Sequence, residues 1–495
     1  MILFITSLLI SLAIGILLTS LFCPSLKGGA ALVFRLFAGG GIGIGITSCL
    51  YFICLLTGLT RYSPVFDFGV CLLLGILCFI FFRRRSAVCA PQPLPETGKR
   101  SRLTILLAGI FSVELITSVV SYILAFLKEP HGKWDAWLIW NMHARFLFRG
   151  GDQWRDAFAS GLDWSHWDYP LLLPLSIARG WQYLGGESVS VPAVMAFVFT
   201  FMTVGLLLSA LSLLRDRTQG FLAAMILLGT PFFIVMGAAQ FADVPLTFFI
   251  LATVVLLSLH WRSSENQTGT LILAGLAAGL CAWTKNEGLL FFLIVAATLF
   301  CTTVYTAKWK SALKNTAAFM AGALPVLLMV AYFKTQLSPV NDLMAGLNPA
   351  AITARLTDLG RYAEIAKAFF ITGISFTQGL IDIRVGMHLN PGAVSVLLLM
   401  VYLFLAGVRI DRTRRVGIIQ SAAVLGLMLT GYFFVYVLTP LDLGYHIVTS
   451  LNRLFLQLWP CIIFLFFMMA DSPENAPAPP ETGSTSRPKK MKEPQ

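Results

Sequence analysis

The feature that most constrains this chain is a succession of long apolar runs. They lie near residues 2–23, 36–57, 65–82, 103–127, 191–214, 219–237, 244–260, 270–283, 289–306, 315–333, 392–409, 416–437 and 453–470. A helix needs about 20 apolar residues to cross a bilayer, and a lipid-exposed backbone must satisfy its own hydrogen bonds. The expected fold is therefore all-α and polytopic, with about thirteen transmembrane helices. Composition agrees: 57% of residues are hydrophobic and only 12% charged, against about a quarter charged in soluble domains. The run near 270–283 is short and glycine-rich. Without it, every downstream loop would change sides.

Charge placement tests the count. If Arg83, Arg84, Arg85, Lys99, Arg100 and Arg102 are cytoplasmic, strict alternation also puts Lys27, Arg215, Arg217, Arg262, Lys308, Lys310, Lys314, Arg409, Arg412, Arg414, Arg415 and the terminal KKMK inside. Every short basic loop obeys the positive-inside bias. That bias accounts for the net charge of +12 without a nucleic-acid partner. The nine cysteines lie in apolar runs or the basic loops beside them, with no CxxC or zinc spacing. No basic residue precedes Lys27, so the first run reads as a retained span rather than a cleaved signal.

The same alternation leaves two long connections, residues 128–190 and 334–391, on the outer side. The first opens with KEPHGKWDAWLIWNMHARFLFRGGDQWRDAFASGLDWSHWDYPLLLP, which holds three of the six histidines and six of the eleven tryptophans. Indole rings collect where an apolar body meets headgroups, so the stretch reads as a membrane-surface platform. Within it Asp135 stands among Trp134, Trp137 and Trp140. Partial desolvation there suits a general base; an N-cap for the helix that follows suits the sequence equally well. The second connection contains ITARLTDLGRYAEIAKAFF, whose Leu356, Leu359, Ala363, Ala366 and Phe370 recur at helical spacing opposite Arg355, Asp358, Arg361 and Lys367. That pattern fits an interfacial amphipathic helix, or plain loop packing.

The chain divides into an N-terminal group of three spans (1–85), a cytoplasmic linker (86–102), a larger membrane domain (103–470) and a tail (471–495). Linker and tail are rich in Pro, Ser, Glu and Lys and read as disordered.

Topology then gathers the polar residues at the outer span ends: Asp135, His166, Asp168, Asp243, Lys285, Glu287, Asp442, His446 and Arg453. An ionisable group beside an apolar run is costly and is kept for function or for a structural pairing. Asp442, His446 and Arg453 share one face if they lie on one helix; a loop followed by a span would separate them. Asp243, followed by Val244 and Pro245, also fits an ordinary N-cap. Lys285 also fits a snorkelling residue paired with Glu287.

The order of these motifs resembles that of the GT-C membrane glycosyltransferases, specifically those similar to glycosyltransferase family 39, which includes protein O-mannosyltransferases and the lipid A aminoarabinose transferase. That family has an acid in the first outer loop, a KPPL-like motif, an acid at a span start and a TKG-like motif. Asp135 in WDAW, DYPLLLP from Asp168 to Pro174, Asp243 in ADVPL, and Thr284 with Lys285 in TKNEG stand in that order across roughly residues 103–333. Two departures are plain: Asp168 stands where the family has the lysine of KPP, and Ala136 follows Asp135 where O-mannosyltransferases have a second acid. The resemblance implies inverting transfer of a sugar from a polyprenyl-phosphate carrier to an acceptor hydroxyl on a glycan, lipid or protein.

Such a reaction has chemical requirements of its own. A phosphate leaving group needs cations to meet its developing charge, a part for Lys285, Arg453 and His446. The acceptor hydroxyl needs a base, a part for Asp135. His166, Asp168, Asp243, Glu287, Trp134 and Trp137 are supporting or sugar-binding candidates. The sequence indicates no cofactor and shows no metal spacing, although a divalent metal is compatible with it. A flippase for a lipid-linked glycan, or a ligase using a polyprenyl-diphosphate donor, would draw on the same cations. Transporters more often show repeated halves and midplane polar residues. The expected location is the inner (plasma) membrane, with the site facing the periplasm or exterior. Sidedness can be measured directly. In intact cells Gln153→Cys is expected to label with an impermeant thiol reagent well above the parent protein, and Thr485→Cys is not; equal labelling would overturn the topology.

Overall fold

The computed structural model describes residues 1–86, 101–159, 161–162, 165–262, 268–338, 348–375 and 393–475. Its helices are α1 (Ile2–Phe22), α2 (Gly29–Leu56), α3 (Ser63–Ser86), α4 (Arg102–Lys128), α5 (Asn141–Arg149), α6 (Leu172–Leu184), α7 (Ser190–Leu214), α8 (Arg217–Leu228), α9 (Pro231–Ala238), α10 (Asp243–Arg262), α11 (Thr268–Thr284), α12 (Asn286–Thr306), α13 (Trp309–Tyr332), α14 (Pro349–Thr357), α15 (Leu359–Ser375), α16 (Ala393–Ala406), α17 (Arg412–Leu438) and α18 (Leu443–Met469). Among the described residues there is no strand. The protein is an all-α polytopic membrane protein.

Ten of these helices are long and apolar enough to cross a bilayer. The pair α8 and α9, bent by 64°, makes an eleventh if counted as one span. The break falls at Gly229 and Thr230, where Pro231 starts the new helix, as its fixed φ and missing N–H favour. Trp459 donates its indole N–H to Thr230 Oγ1 at 3.1 Å and pins the bend. The two remaining apolar runs form shorter helices in α11 and α16.

The bundle is built around α10, in which every residue from Asp243 to His260 is buried. A helix apolar on all sides belongs inside, and α7, α11, α17 and α18 surround it. At the periphery, α3 and α4 keep most of their surface outward, with Phe68, Leu72, Val113 and Ile116 exposed as lipid-facing residues would be. The N-terminal helices do not pack apart from the rest: α2 lies on α6 and α7, and α1 on α6 and α11. Arg179 of α6 ties them further, meeting Asp67 of α3 at 2.8 Å and the Ser7 carbonyl of α1 at 3.2 Å.

Several helix pairs approach through glycine, two of them most closely along a seam. A Cβ on Gly15 would stand 1.7 Å from the Gly39 carbonyl oxygen, and one on Gly275 only 1.8 Å from that of Phe319. Apolar helices gain little hydrophobic attraction from one another in lipid, so close backbone contact supplies the association. This is why α11 is glycine-rich: it sits inside, sealed against α13.

Several sequence expectations need correction. The platform is not uniformly interfacial, since Trp140 and Trp154 are buried while Trp134 and Trp137 are exposed. The amphipathic stretch is two helices, broken at Asp358, whose backbone is extended. Its arginines face the protein: Arg361 donates to the carbonyls of Tyr436, Val437 and Thr439, and Arg355 to that of Leu438. Cations suit a helix C-terminus, so α14 and α15 are docked on the end of α17. Residues 87–100 of the linker and 476–495 of the tail lie outside the described residues. The first residues of the tail are tied down, Glu474 accepting from Thr104 and Thr218.

The glycine contacts predict a stability effect. Gly275→Leu is expected to lower the thermal unfolding midpoint in detergent by the equivalent of about 1–3 kcal/mol or more, the cost of overpacking. Gly75→Leu, with nothing near its added Cβ, is expected to be silent in the same assay.

Candidate functional site

The site forms at the end of the bundle where α10 begins. Asp243 is the first residue of α10 and is fully buried. Burying a carboxylate is tolerated only with charge and hydrogen-bond compensation, and four donor contacts supply it. Lys285 Nζ lies 3.0 Å from Oδ1 and Gln457 Nε2 2.7 Å from the same oxygen. Arg453 donates to Oδ2 from Nε at 3.1 Å and from Nη2 at 2.8 Å. Asp243 is therefore the hub of a network rather than a plain cap.

Each partner reaches the hub for a local reason. Lys285 sits in extended conformation at the junction of α11 and α12, so its side chain leaves the helical rows and turns inward. Arg453 and Gln457 are four apart on α18 and thus share a face. The segment from Leu443 to Met469 is one continuous helix, which settles the register of Asp442, His446 and Arg453.

Arg453 links the hub to the platform. Its Nη1 lies 2.7 Å from Asp135 Oδ2, and its guanidinium stacks 4.8 Å from the centroid of the Phe241 ring. Asp135 makes no capping hydrogen bond; its carboxylate points to Arg453 instead. It stands at the start of a π-helical turn, Ala136–Trp140, a wide turn often found at functional sites. The rings of Trp134 and Trp137 stand edge to face at 4.7 Å beside it.

On the far side, Lys285 also meets Glu287 at 2.9 Å. Gln457 bonds Glu287 at 3.3 Å and accepts from the Tyr432 hydroxyl at 2.7 Å. The continuous series is thus Asp135, Arg453, Asp243, Lys285 and Glu287, with charges alternating. Glu287 Oε2 has no partner among the described residues.

A second cluster adjoins it. Asp168 Oδ2 accepts from Asn286 Nδ2 at 2.8 Å and from Lys334 Nζ at 3.3 Å; Lys334 also reaches Asn286 Oδ1 at 2.7 Å and the Asp168 carbonyl. Tyr169 joins the two clusters, its ring lying 5.5 Å from Lys285 Nζ and stacked on Trp140 at 5.3 Å. The ring of His166 is 5.3 Å from that of Tyr169. Among the described residues, His166 and Gln240 are the non-glycine residues with left-handed backbone, at φ 47° and 63°. Such strain collects near functional sites, and both flank this one: Gln240 holds Asn141 and the Pro130 carbonyl.

Not every candidate joins the network. His446 pairs with Thr439 Oγ1 at 2.9 Å and lies 4.7 Å from the Tyr436 ring, at the rim. Asp442 caps α18 through the Tyr445 N–H at 2.8 Å. His143 of the platform is buried, and burial, with His166 nearby, takes its pKa down to about 4, so it is a neutral ring at physiological pH. Among the described residues no three His, Cys, Asp or Glu side chains converge as a metal site requires.

Sequence reasoning missed Gln457, Tyr432, Asn286 and Lys334. Gln457 had a usable signal, a polar residue four after Arg453 inside an apolar run. Asn286 lies within TKNEG itself. Lys334 ends an apolar run with no motif around it, and Tyr432 is an aromatic residue in an ordinary span.

The two aspartates at helix starts separate by experiment. Asp243→Ala strands Lys285 and Arg453 without their shared partner and is expected to cost about 3–5 kcal/mol, as broken buried pairs do. Asp442→Ala removes an exposed cap and is expected to cost about 1 kcal/mol. Thermal unfolding of both in one detergent provides the comparison; equal costs would reduce Asp243 to a cap.

Residues 168–333 match the family model described as dolichyl-phosphate-mannose-protein mannosyltransferase. No curated protein and no solved structure matches the chain. The matched stretch holds Asp168, Asp243, Lys285 and Glu287, while Asp135 and Arg453 lie outside it and join them only in three dimensions. The resemblance read from the motif order is thereby shown over that stretch: residues 168–333 of this polytopic membrane protein are similar to the dolichyl-phosphate-mannose-protein mannosyltransferase family, and that match indicates a membrane glycosyltransferase of the GT-C type.

Proposed function

We propose that the protein transfers a sugar from a polyprenyl-phosphate carrier to an acceptor hydroxyl, with inversion, at the outer face of the plasma membrane. Residues 103–470 form the catalytic domain in this reading, with the first three helices as its support. The observation that carries it is the ion-pair series from Asp135 to Glu287, which joins one carboxylate that is only partly buried to two cations through a fully buried one.

The chemistry divides among these residues. The acceptor oxygen attacks the anomeric carbon, the bond from that carbon to the phosphate oxygen breaks, and polyprenyl phosphate departs with the bonding pair. Asp135 takes the proton from the acceptor hydroxyl. Arg453 orients the Asp135 carboxylate by the contact at 2.7 Å and, with Lys285, supplies the positive field that meets the leaving phosphate. His446 stands at the rim as a further phosphate contact. Glu287, with one oxygen unpaired, accepts a hydroxyl of the donor sugar. Trp134 and Trp137 offer exposed ring faces to a sugar or lipid beside the base. His166, Asp168 and Asp243 hold the surrounding geometry. Partners in this reading are the donor lipid, the bilayer and a glycan, lipid or protein acceptor.

The decisive variant is Asp135→Asn. It keeps size and a hydrogen bond to Arg453 but cannot accept a proton, and loss of a general base typically costs about 100- to 10,000-fold in rate. Transfer is expected to fall by that factor while donor binding persists in the same preparation. Near-normal transfer would remove Asp135 from the chemistry, and loss of binding together with transfer would make it a donor-binding residue instead.

A further inference from the structure

The Asp243 network occupies one end of the bundle, and the other end holds a pocket of different character. A cavity of about 340 Å³ is lined there by Arg215, Arg262, Arg409 and Arg414, together with Asp216, Asp411, Thr413 and Glu474. Asp243 starts α10 and Arg262 ends it, 20 residues in one unbroken helix. At 1.5 Å per residue that is about 30 Å, the thickness of a bilayer's hydrocarbon core. The pocket therefore lies at headgroup level on the membrane surface opposite the site.

Two of the four arginines serve the structure. Arg215 donates to the carbonyls of Met468 and Ala470, and Arg414 to that of Met468 at 3.3 Å and to the Asp411 carboxylate. Those carbonyls end α18, where cations are favoured. The carboxylates beside them are engaged as well: Asp216 accepts the Gln219 N–H at 2.9 Å, and Glu474 the hydroxyls of Thr104 and Thr218 at 2.9 and 2.6 Å. Arg262 and Arg409 differ. Arg262 gives one N–H to the Leu213 carbonyl and, among the described residues, forms no ion pair. Arg409 is 59% exposed, and the carboxylates it faces, on Asp411 and Asp471, both stand 3.9 Å away, beyond hydrogen-bond reach. A guanidinium carries five N–H donors, so most of those on Arg262 and Arg409 are uncommitted.

The backbone adds to them. Asp411 is the N-cap residue of α17, yet its carboxylate turns to Arg414 and makes no capping hydrogen bond. Thr413, in the first turn of this 27-residue helix, lines the same cavity. First-turn N–H groups left uncapped, at the positive end of the helix dipole, favour an anion.

We propose that this pocket is a second binding site, taking a phosphate group, with Arg262 and Arg409 as its charged contacts and the first turn of α17 as its neutral one. The planar fork of arginine suits phosphate oxygens. The site does not depend on the donor reading above. A phospholipid headgroup and a soluble phosphate compound offer the same group, and the test separates them.

The experiment uses the full-length protein in neutral detergent with two probes, inorganic phosphate and a fluorescent phosphatidic acid, and with diacylglycerol as the phosphate-free control. The double variant Arg262→Gln, Arg409→Gln is expected to weaken binding about ten- to a hundred-fold, the usual weight of charged hydrogen bonds, and to keep the wild-type unfolding midpoint. Lys308→Gln, Lys310→Gln removes two charges that follow α12 at the same end of the bundle, outside the pocket, and is expected to bind as wild type does. Should the double arginine variant not fold, Arg409→Gln alone carries the test, since that side chain is mostly exposed. Arginine-dependent binding of both probes would support the site and show that a soluble phosphate compound suffices; binding of phosphatidic acid alone would support it as a headgroup site. Failure of the wild-type protein to bind either probe, or undiminished binding in the arginine variant, would overturn the proposal. Equal loss in the lysine variant would overturn it in favour of general surface charge, and equal binding of diacylglycerol in favour of apolar contact.

Discussion

A buried carboxylate is the constraint from which the rest of this site follows. Asp243 tops a helix with no exposed face, where an unpaired ionised carboxyl would be prohibitively costly. The structure meets that cost with cations from two distant parts of the chain, Lys285 at the α11–α12 junction and Arg453 on α18, and with the amide of Gln457. Satisfying Asp243 therefore fixes how the α11–α12 junction and the Arg453 turn of α18 sit relative to the start of α10. It also leaves Arg453 with one face free, which Asp135 occupies. The placement of the partly buried acid is thus a consequence of how the fully buried acid is compensated.

Precision at that end of the bundle depends on close packing deeper down. A pairwise contact at 2.7 to 3.1 Å tolerates little drift, and the helices carrying Asp243 and Lys285 are held by van der Waals contact. The glycine seam between α11 and α13 brings backbone against backbone, where a shift of a few tenths of an ångström meets a hard wall. The pair Asp67–Arg179 does comparable work for α6, whose first turn follows directly on Asp168 and Tyr169. That ion pair is fully buried and shares Asp67 with the Tyr183 hydroxyl at 2.7 Å. The N-terminal helices thereby contribute to the mount of the Asp168 cluster although they supply no residue to the site.

Much of the fold was legible in the sequence because a bilayer imposes a simple rule of length and apolarity. Each expected apolar run coincides with a helix or with the bent pair α8–α9. The short run near 270–283, suspect by length alone, is explained by burial against α13. The site was legible in its residue types and less so in its pairings. Asp135, Asp243, Lys285, Glu287 and Arg453 were gathered by topology, yet Asp135 and Asp243 also read as caps and Lys285 as a snorkelling residue paired with Glu287, and nothing local distinguishes a cap from a hub. Asp243 and Asp442 show this well: both begin helices, one is buried among cations and the other caps an exposed first turn. The platform tryptophans misled for a related reason. Indole suits both interface and core, and only the tertiary packing of α5 and α6 decides that Trp140 lies inside while Trp137 does not.

The alternation of charge along the series also bears on what the site can do. Asp135 and Glu287 stand at its two ends, each tied to the buried Asp243 through a single cation. A change of charge at one end is felt at the other through groups that burial keeps from being screened by salt. In the proposed reaction, protonation of Asp135 by an acceptor hydroxyl would loosen its hold on Arg453 at the moment when charge builds on a departing phosphate. The guanidinium would then gain positive field where the reaction requires it, with no movement of the helices. A carboxylate and a cation placed independently would each have to be preorganised at separate cost. In the proposed reaction, the acid that takes the proton and the field that meets the phosphate would, joined through Arg453, be parts of one electrostatic unit.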